Sequence, residues 1–202
     1  SLHITLLFLT AIVLSSCGVS RYVPEGKFFL DKNKVEIDQK DVEFTASEVS
    51  SYISQKTFRV RFPLRFPVWL YYVTEDNSGH GFKHWLHEHL TKTPVYFEPS
   101  EIRQSINQME QYLDNRGYFH SKITSKVDYS GKNAKVTYTI HPSVPYTISK
   151  VDYQIEDTAL RKTLSVIERH LPAKEGQIYN AYTLEDQRNT ITEFLRNAGY
   201  YY

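Results

Sequence analysis

Residues 97–119, FEPSEIRQSINQMEQYLDNRGYF, decide the fold of this chain, because a similar stretch returns 82 residues later. The second copy is residues 179–201, YNAYTLEDQRNTITEFLRNAGYY, and it aligns with the first without a gap. Both copies end in Asn-x-Gly-Tyr followed by an aromatic residue. A repeat of this length indicates tandem domains more often than a solenoid, whose units are mostly shorter. The sequence therefore predicts two copies of one small domain.

Each copy of the repeat has the pattern of a helix that leads into a strand. In the first copy, apolar residues at spacings of four, three and four lie on one helical face. These residues are Ile102, Ile106, Met109 and Leu113. Gly117 and Gly199 then occupy the position where a helix ends in a left-handed cap residue. At the start of the second helix, Thr183 and Asp186 have the approximate spacing of a capping box.

The alternation of apolar and polar residues after Gly117 predicts a β-hairpin. Its arms are Tyr118 to Val127 and Ala134 to Ile140, and a turn-rich tetrad at Ser130 to Asn133 separates them. In the second arm every other residue from Ala134 onward is apolar, so we expect these residues to share the buried face.

The segments around the repeat complete one order of elements. Upstream, Lys34 to Ile37 predicts a strand, and Thr45 to Glu48 is a capping box that opens a helix. Downstream, Tyr146 to Ile155 predicts a strand, and Asp157 is a candidate N-cap for the following helix. Each unit therefore has the order strand, helix, helix, strand, strand. Because the final residues, Tyr200 to Tyr202, would only open the next strand, we expect the natural protein to continue.

The chain starts with an apolar run and contains a single cysteine. The run from Ile4 to Leu14 suits the apolar region of a signal peptide and is shorter than the ~20 residues that span a bilayer. Leu14-Ser15-Ser16-Cys17 follows it and resembles the lipobox of bacterial lipoproteins. We expect cleavage before Cys17 and acylation of its thiol, since two or more acyl chains give stable anchoring. The alternative is a buried helix that happens to end in cysteine.

These observations predict the following organisation of the chain. Residues 1–16 form a lipoprotein signal peptide, and residues 17–32 form a lipid-anchored tether without an acidic run, which favours a domain that faces the periplasm. The first domain is residues 33–143 and carries an insertion at residues 56–94. The second domain, residues 144–202, is incomplete.

Composition excludes several classes of protein. Among 202 residues, 24 Lys and Arg balance 23 Asp and Glu, whereas a nucleic-acid binder driven by charge has a clearly basic domain. One cysteine permits no intramolecular disulfide and no CxxC motif. The chain also lacks a Gly-x-Ser-x-Gly nucleophile motif and a phosphate-binding glycine loop. We therefore expect no catalytic residues, no cofactor and no nucleic-acid partner.

Tandem units of this element order, each closing its second helix on Asn-x-Gly-Tyr, resemble the polypeptide-transport-associated (POTRA) domains of the BamA/TamA outer-membrane assembly superfamily. The lipobox at Cys17, the segment Tyr22 to Gly26, the aromatic insertion and Leu113 to Phe119 resemble in particular the lipid-anchored TamA-like proteins of the Bacteroidota, the TamL type. The resemblance implies an α+β fold, in which a three-stranded sheet carries two helices on one face.

The same resemblance implies a role without enzymatic activity, in which POTRA domains in the periplasm receive unfolded outer-membrane protein clients. It also implies an outer-membrane location, a C-terminal β-barrel and a TamB-like periplasmic partner. Two alternatives stay open. One is a lipid-anchored periplasmic enzyme with its active site in a C-terminal part beyond Tyr202. The other is a scaffold or secretion-pore component whose units only contact partners.

The open edge of such a sheet is the first candidate site. An extended client can add to it as a strand, because its main-chain groups are unpaired. By analogy with POTRA sheets this edge is the first hairpin arm, with lysines as polar gatekeepers. The candidate client-binding residues are Tyr118, His120, Lys122, Thr124 and Lys126. Alternatively, the neighbouring unit covers the edge, or the edge is only solvated.

The insertion holds a second candidate site, in which arginines interleave with aromatic residues. Such side chains suit a protein partner or lipid headgroups. The candidate contact residues are Phe62, Arg65, Phe66, Trp69 and Tyr72. The alternative is that these side chains pack onto the first domain.

Four histidines, His80, His84, His87 and His89, also lie in the insertion. The first three have the i, i+4, i+7 spacing of one helical face, which could hold a transition metal. However, Thr91 occupies the last position of the His-Glu-x-x-His pattern that begins at His87. We therefore expect the polar face of a short amphipathic helix and no metal.

Overall fold

The computed structural model describes residues 23–57, 71–72, 74, 84–85, 87 and 94–201. It confirms the predicted α+β class with a three-stranded sheet. The elements are β1 (Phe29–Ile37), α1 (Ala46–Ser50), α2 (Ser100–Asn115), β2 (Lys122–Ser130), β3 (Asn133–His141), α3 (Thr158–Ser165), a 3₁₀ turn (Glu168–His170) and α4 (Ala181–Asn197). No helix within the described ranges is both long and apolar enough to cross a bilayer.

The strands are ordered β1-β3-β2, so β3 is the central strand. Its alternate residues, Ala134 to Ile140, are buried at no more than 2% exposure, which confirms the predicted face. The amide of Phe29 donates to the carbonyl of Lys132 at 2.9 Å, and that of Asp38 donates to Ile140 at 3.2 Å. These bonds run in the same direction along both strands, so β1 is parallel to β3. β1 itself begins five residues before the predicted Lys34.

The first hairpin arm was predicted from Tyr118, but β2 begins only at Lys122. Two local features delay the strand. The amide of Tyr118 donates to the carbonyl of Leu113 at 2.9 Å, which ties Tyr118 to the end of α2. His120 then has a φ of 63°, and this left-handed conformation interrupts an extended chain.

Local hydrogen bonds define the helix starts. The Thr45 side chain accepts from the Glu48 amide, and the Glu48 carboxylate accepts from the Thr45 amide, which confirms the predicted capping box of α1. Asp157 caps α3 as predicted. The capping box predicted at Thr183 is wrong, because α4 begins earlier, where the Asn180 side chain accepts from the amide of Tyr182.

Both repeated helices end as predicted. Gly117 and Gly199 have φ values of 85° and 93°, in the region that favours glycine. In the second copy the amide of Tyr200 donates to Leu195 at 2.9 Å, which matches the bond after Gly117. The repeated sequence therefore encodes the same Schellman cap twice.

The strand predicted at Tyr146 to Ile155 is not formed. Its segment contains only an isolated bridge between Thr147 and Ile178. Residues 151–155 still alternate between half-buried and exposed, as the side chains of a strand with one buried face do. Among the described residues they have no strand to pair with, and extended backbone becomes a strand only when a partner satisfies its ladder.

Packing of the backbone divides the chain into two compact units. The described residues of the first unit are 23–34, 54–57, 94–103 and 125–138, with six further residues between 71 and 87. Those of the second unit are 35–53, 104–124 and 139–201. Val23 and Phe29 are buried together in the first unit. In the second unit Val49, Met109 and Leu113 are fully buried. The domain limits derived from the sequence stay a prediction.

Candidate functional site

The outer side of β2, here called the β2 edge, is the candidate site. β3 pairs with one side of β2, and the sheet has no described strand on the other. Within Lys122–Ser130 only Ile123 is buried and Val127 half-buried, while every other residue is exposed. The β2 edge thus has the unpaired backbone that can bind an extended chain.

The opposite edge of the sheet, along β1, is partly covered. The amide of Leu30 donates to the carbonyl of Val95 at 2.9 Å, and the amide of Phe97 donates to Phe28 at 2.7 Å. The Asn33 side chain also donates to the carbonyl of Gln55 at 2.7 Å. The two edges therefore differ, and the β2 edge is the more accessible of them.

Three of the five predicted client-binding residues lie on β2. Lys122, Thr124 and Lys126 are all exposed. Tyr118 is instead only 1% exposed, and its hydroxyl accepts from the amide of Glu43 at 2.9 Å. His120 lies in the turn before the strand. Tyr118 is thus a core residue, and the β2 edge begins four residues after it.

An ion pair marks the middle of the β2 edge. The ammonium of Lys126 lies 2.8 Å from the carboxylate of Asp128, and the Lys126 side chain is 77% exposed. The hydrogen bond with Asp128 raises the pKa of Lys126, and the same bond lowers the pKa of Asp128. Both groups therefore stay charged at neutral pH, which discourages uncontrolled pairing of the strand with other chains.

A hydroxyl, an imidazole and a carboxylate lie in series at one end of the sheet. The Thr124 hydroxyl is 3.4 Å from Nε2 of His141, whose Nδ1 contacts the carboxylate of Asp38. A nucleophile and its base usually lie about 2.6–3.2 Å apart in a shielded site. Here the separation is longer, and the His141 side chain is 43% exposed. The geometry favours a structural role, in which His141 joins β2 to the residue after β1.

A second feature, here called the Gly117 junction, connects the end of α2 to the segment after β3. The carbonyl of Gly117 accepts from the amide of Tyr146 at 2.9 Å, and the carbonyl of Tyr146 accepts from the amide of Tyr179 at 2.8 Å. The ring of Phe119 lies 5.1 Å from that of Tyr146 and 5.5 Å from that of Tyr179. Backbone pairing and aromatic contacts therefore hold these segments together.

Tyr52 and Tyr112 form a separate aromatic contact, with ring centroids 4.7 Å apart. A hydrogen bond with the hydroxyl of Tyr182, together with burial, raises the pKa of Tyr52 to about 12. Burial also raises the pKa of Tyr112. Tyr52 follows α1 and Tyr182 lies in the first turn of α4, so this hydrogen bond joins segments that are far apart in sequence.

We expect Tyr182→Phe to lower the pKa of Tyr52 from about 12 towards its ordinary value of 10.0, because the largest cause of the increase is removed. The stabilisation linked to a raised pKa is complete below pH 10.0 and is lost as the pH rises towards 12. Tyrosine ring carbon signals in an NMR titration report this pKa. Tyr201→Phe is the control and should leave Tyr52 unchanged. An unshifted Tyr52 in Tyr182→Phe would show that the hydrogen bond is absent.

Most of the second candidate site lies outside the described residues, namely Phe62, Arg65, Phe66 and Trp69. The predicted lipidation site, Cys17, also lies outside them. Tyr72 is described, and it is half-buried against Val23 and Phe29, with its hydroxyl in contact with that of Tyr96. For Tyr72 this packing favours the alternative in which the insertion covers the first domain.

The histidines of the insertion are described only in part. Nδ1 of His87 lies 3.0 Å from the hydroxyl of Thr74, and the His87 ring lies 5.1 Å from that of Tyr71. His84 is exposed, while His80 and His89 lie outside the described residues. In the part of the chain that the structure describes, no three His, Cys, Asp or Glu side chains are grouped so that they could hold a metal.

Sequence reasoning missed the Gly117 junction. It identified Gly117 only as a helix cap, although the carbonyl of the same residue also pairs with Tyr146. One available signal was the aromatic character of the repeat ends, since Phe119 and Tyr179 both occupy repeated aromatic positions. That signal could not indicate that the two positions contact each other.

A family model for POTRA, described as "surface antigen variable number repeat", matches residues 83–143 and 146–202, more than half of the chain. No curated protein matches significantly. Among solved structures, POTRA1-3 of the periplasmic domain of Omp85 from Anabaena is similar at 12% identity and a TM-score of 0.36, over 86% of this chain and 52% of that one. This chain thus spans about half the length of that structure.

Two further solved structures are similar at comparable levels. POTRA1-2 of the periplasmic domain of Omp85 from Anabaena has 15% identity and a TM-score of 0.33, over 88% of this chain and 83% of that one. BamA POTRA3-5 from Haemophilus influenzae has 13% identity and a TM-score of 0.28, over 89% of this chain and 90% of that one.

Proposed function

Because this chain belongs to the POTRA family, we propose that it is the periplasmic region of an outer-membrane protein assembly or translocation factor. In this role the β2 edge binds unfolded client chains, which add to the sheet as a further strand. The observation that carries the proposal is the exposed outer side of β2, at the edge of a sheet whose other edge is partly covered.

The β2 edge suits clients of many sequences. Its nine residues span about 30 Å, enough for several main-chain hydrogen bonds with an extended client. Main-chain bonds depend little on the side chains of the client. Exposed Lys122, Thr124 and Lys126 keep the edge soluble between clients, because charged and polar side chains oppose pairing with the wrong chain.

In the same proposal, acylated Cys17 attaches the chain to the outer membrane, and the POTRA units lie in the periplasm as in a TamL-type protein. A C-terminal β-barrel receives the client, and a TamB-like protein is a periplasmic partner. No step of this role requires bond chemistry by the chain. The insertion contributes Phe62, Arg65, Phe66 and Trp69 to contacts with a partner or with the membrane.

Proline substitutions at Thr124 and Ser125 test the β2 edge. Neighbouring residues of a strand direct their N–H groups to opposite sides, so one of these amides pairs with β3 and the other points outward. We expect one variant to lose about 1 kcal/mol or more of folding stability through a broken ladder bond. The other should keep its stability and bind clients about fivefold more weakly, because it loses a donor to the client.

Crosslinking to an unfolded outer-membrane β-barrel protein measures binding, and chemical denaturation measures stability. Thr124→Ala and Ser125→Ala are the controls, since they shorten the side chains but keep both amides. They should crosslink like the unmodified protein. If the stable proline variant also crosslinks at the unmodified level, the β2 edge is not the client site.

A further inference from the structure

The near-neutral charge of the chain conceals an unequal distribution. Among the described residues of the first unit, eight Lys and Arg face five Asp and Glu. In the second unit ten Lys and Arg face fifteen Asp and Glu. The first unit is therefore basic by itself and suits an anionic surface.

Within the first unit, lysines and aromatic rings gather where β1 begins beside the turn between β2 and β3. We call Lys27, Phe28, Tyr129 and Lys132 the hairpin-end patch. The rings of Phe28 and Tyr129 lie 4.6 Å apart, and Tyr129 remains 54% exposed. The carbonyl of Lys132 accepts from the amide of Phe29, and the ammonium of Lys27 lies 5.2 Å from the ring of Tyr96. The backbone of Lys132 thus lies beside the start of β1, and Lys27 is exposed while Lys132 is half-buried.

This composition is typical of surfaces that contact lipid headgroups. A tyrosine ring places its apolar part among acyl chains and its hydroxyl at the headgroups. Neighbouring lysines are attracted to anionic phosphate groups. The contact of Phe28 with Tyr129 holds the exposed ring in place, so little side-chain freedom is lost on contact.

The hairpin-end patch also lies close along the chain to the predicted lipid. Val23 is 6% exposed and packs with Phe29, whose amide bonds to Lys132. Val23 is the sixth residue after Cys17, and a fully extended chain over that interval reaches only about 20 Å. A lipid on Cys17 would therefore keep the start of β1 near the membrane surface.

We propose that the hairpin-end patch binds the phosphate-rich surface of the anchoring membrane, with Lys27 and Lys132 on anionic headgroups and Tyr129 among them. This inference rests on the proposed function, because a soluble protein would have no use for such a contact. It adds a second membrane signal to the acylated cysteine, which strengthens anchoring by lipid chains alone.

Vesicle sedimentation tests whether the hairpin-end patch binds membranes when no acyl chain is attached to residue 17. The probe is the chain from residue 17 with Cys17→Ser, which contains every described residue and cannot be acylated at that position. We expect binding to vesicles that contain one-third phosphatidylglycerol in phosphatidylcholine, and little binding to phosphatidylcholine alone. Lys27→Gln with Lys132→Gln should weaken binding about twenty-five-fold at low salt, about fivefold for each lysine.

The matched control is Lys150→Gln with Lys162→Gln, which removes the same charge from exposed lysines of the second unit. We expect it to weaken binding less than about twofold, because those lysines lie outside the patch. Tyr129→Ser should also weaken binding, and circular dichroism checks that each variant is folded. Equal weakening by both lysine pairs, or equal binding to neutral vesicles, would overturn the proposal.

The result is separable from the proposed function. Client crosslinking at the β2 edge does not involve Lys27 or Lys132, so it should persist in that double variant. If vesicle binding fails while crosslinking depends on the β2 edge, the hairpin-end patch does not bind membranes and the proposed assembly role stands. If vesicle binding succeeds while crosslinking never depends on that edge, the hairpin-end patch is supported and the β2 edge is not the client site.

Discussion

Gly117→Ala should destabilise the protein by about 2 to 5 kcal/mol, whereas Gly199→Ala should cost only about 1 to 2 kcal/mol. Both glycines end a repeated helix with a left-handed φ, so both variants incur the penalty of placing a Cβ in that conformation. The additional loss at Gly117 arises from what surrounds it. A Cβ there would lie 2.6 Å from the carbonyl oxygen of Tyr179, while one at Gly199 would have no atom of the described residues within 4 Å.

The clash at Gly117 cannot be relieved by a rotating side chain, because the opposing atom belongs to the backbone. Tyr179 would have to move away, and its hydrogen bond to Tyr146 would lengthen with it. The amide of Tyr146 would then also lose its bond to residue 117. We therefore expect the Gly117 junction to open before the sheet unfolds.

Chemical denaturation of the two alanine variants compares their free energies of unfolding, and the difference isolates the close approach from the cost of the cap. Amide exchange provides a second measurement, in which the amides of Tyr146 and Tyr179 should exchange faster in Gly117→Ala alone. Equal destabilisation by both substitutions, with unchanged exchange at those amides, would show that close packing at the Gly117 junction does not add to stability.

The elements that the sequence predicted well are those that local interactions decide. The capping box at Thr45 and Glu48 closes within four residues, and the cap at Asp157 closes within the next turn. The buried face of β3 follows directly from alternation, because successive side chains of a strand point to opposite faces of the sheet. The glycine caps were also predictable, since only glycine adopts their φ without strain.

The errors occurred where a distant partner decides the outcome. Tyr118 continues an alternating pattern, but its amide bonds to the end of α2 and its hydroxyl accepts from the amide of Glu43, so it is buried in the core before the strand begins. Residues 151–155 alternate between half-buried and exposed without forming a strand, because no strand among the described residues pairs with them. A one-dimensional pattern reports which side chains could be buried and not which segment would bury them.

The distribution of charge between the two units could not be predicted from the sequence either. The formal net charge of +1 gave no direction for electrostatic attraction. Among the described residues, folding sorts the charged side chains into a basic unit and an acidic unit, although both units are built from several separate stretches of chain. Counting along the sequence could not reveal this, because β1, β2 and β3 each contribute residues to both units.

Cys17→Ala should abolish incorporation of a radiolabelled fatty acid completely, because only the thiol at that position can form the thioether to a diacylglyceryl group. Cleavage of the lipobox depends on the modified cysteine, so the variant should also retain residues 1–16, which mass spectrometry would detect. Ser16→Ala is the matched control, since alanine keeps the small side chain before the cysteine. That control should be labelled and cleaved normally.

The loss should extend to membrane attachment. Each buried methylene of an acyl chain contributes about 0.8 kcal/mol, so two or three chains exceed anything that the hairpin-end patch can supply. For the chain up to Tyr202, Cys17→Ala in a form that lacks residues 1–16 should therefore bind membranes only weakly and release them at high salt. Salt-resistant attachment, or label that persists without Cys17, would show that another group anchors the protein.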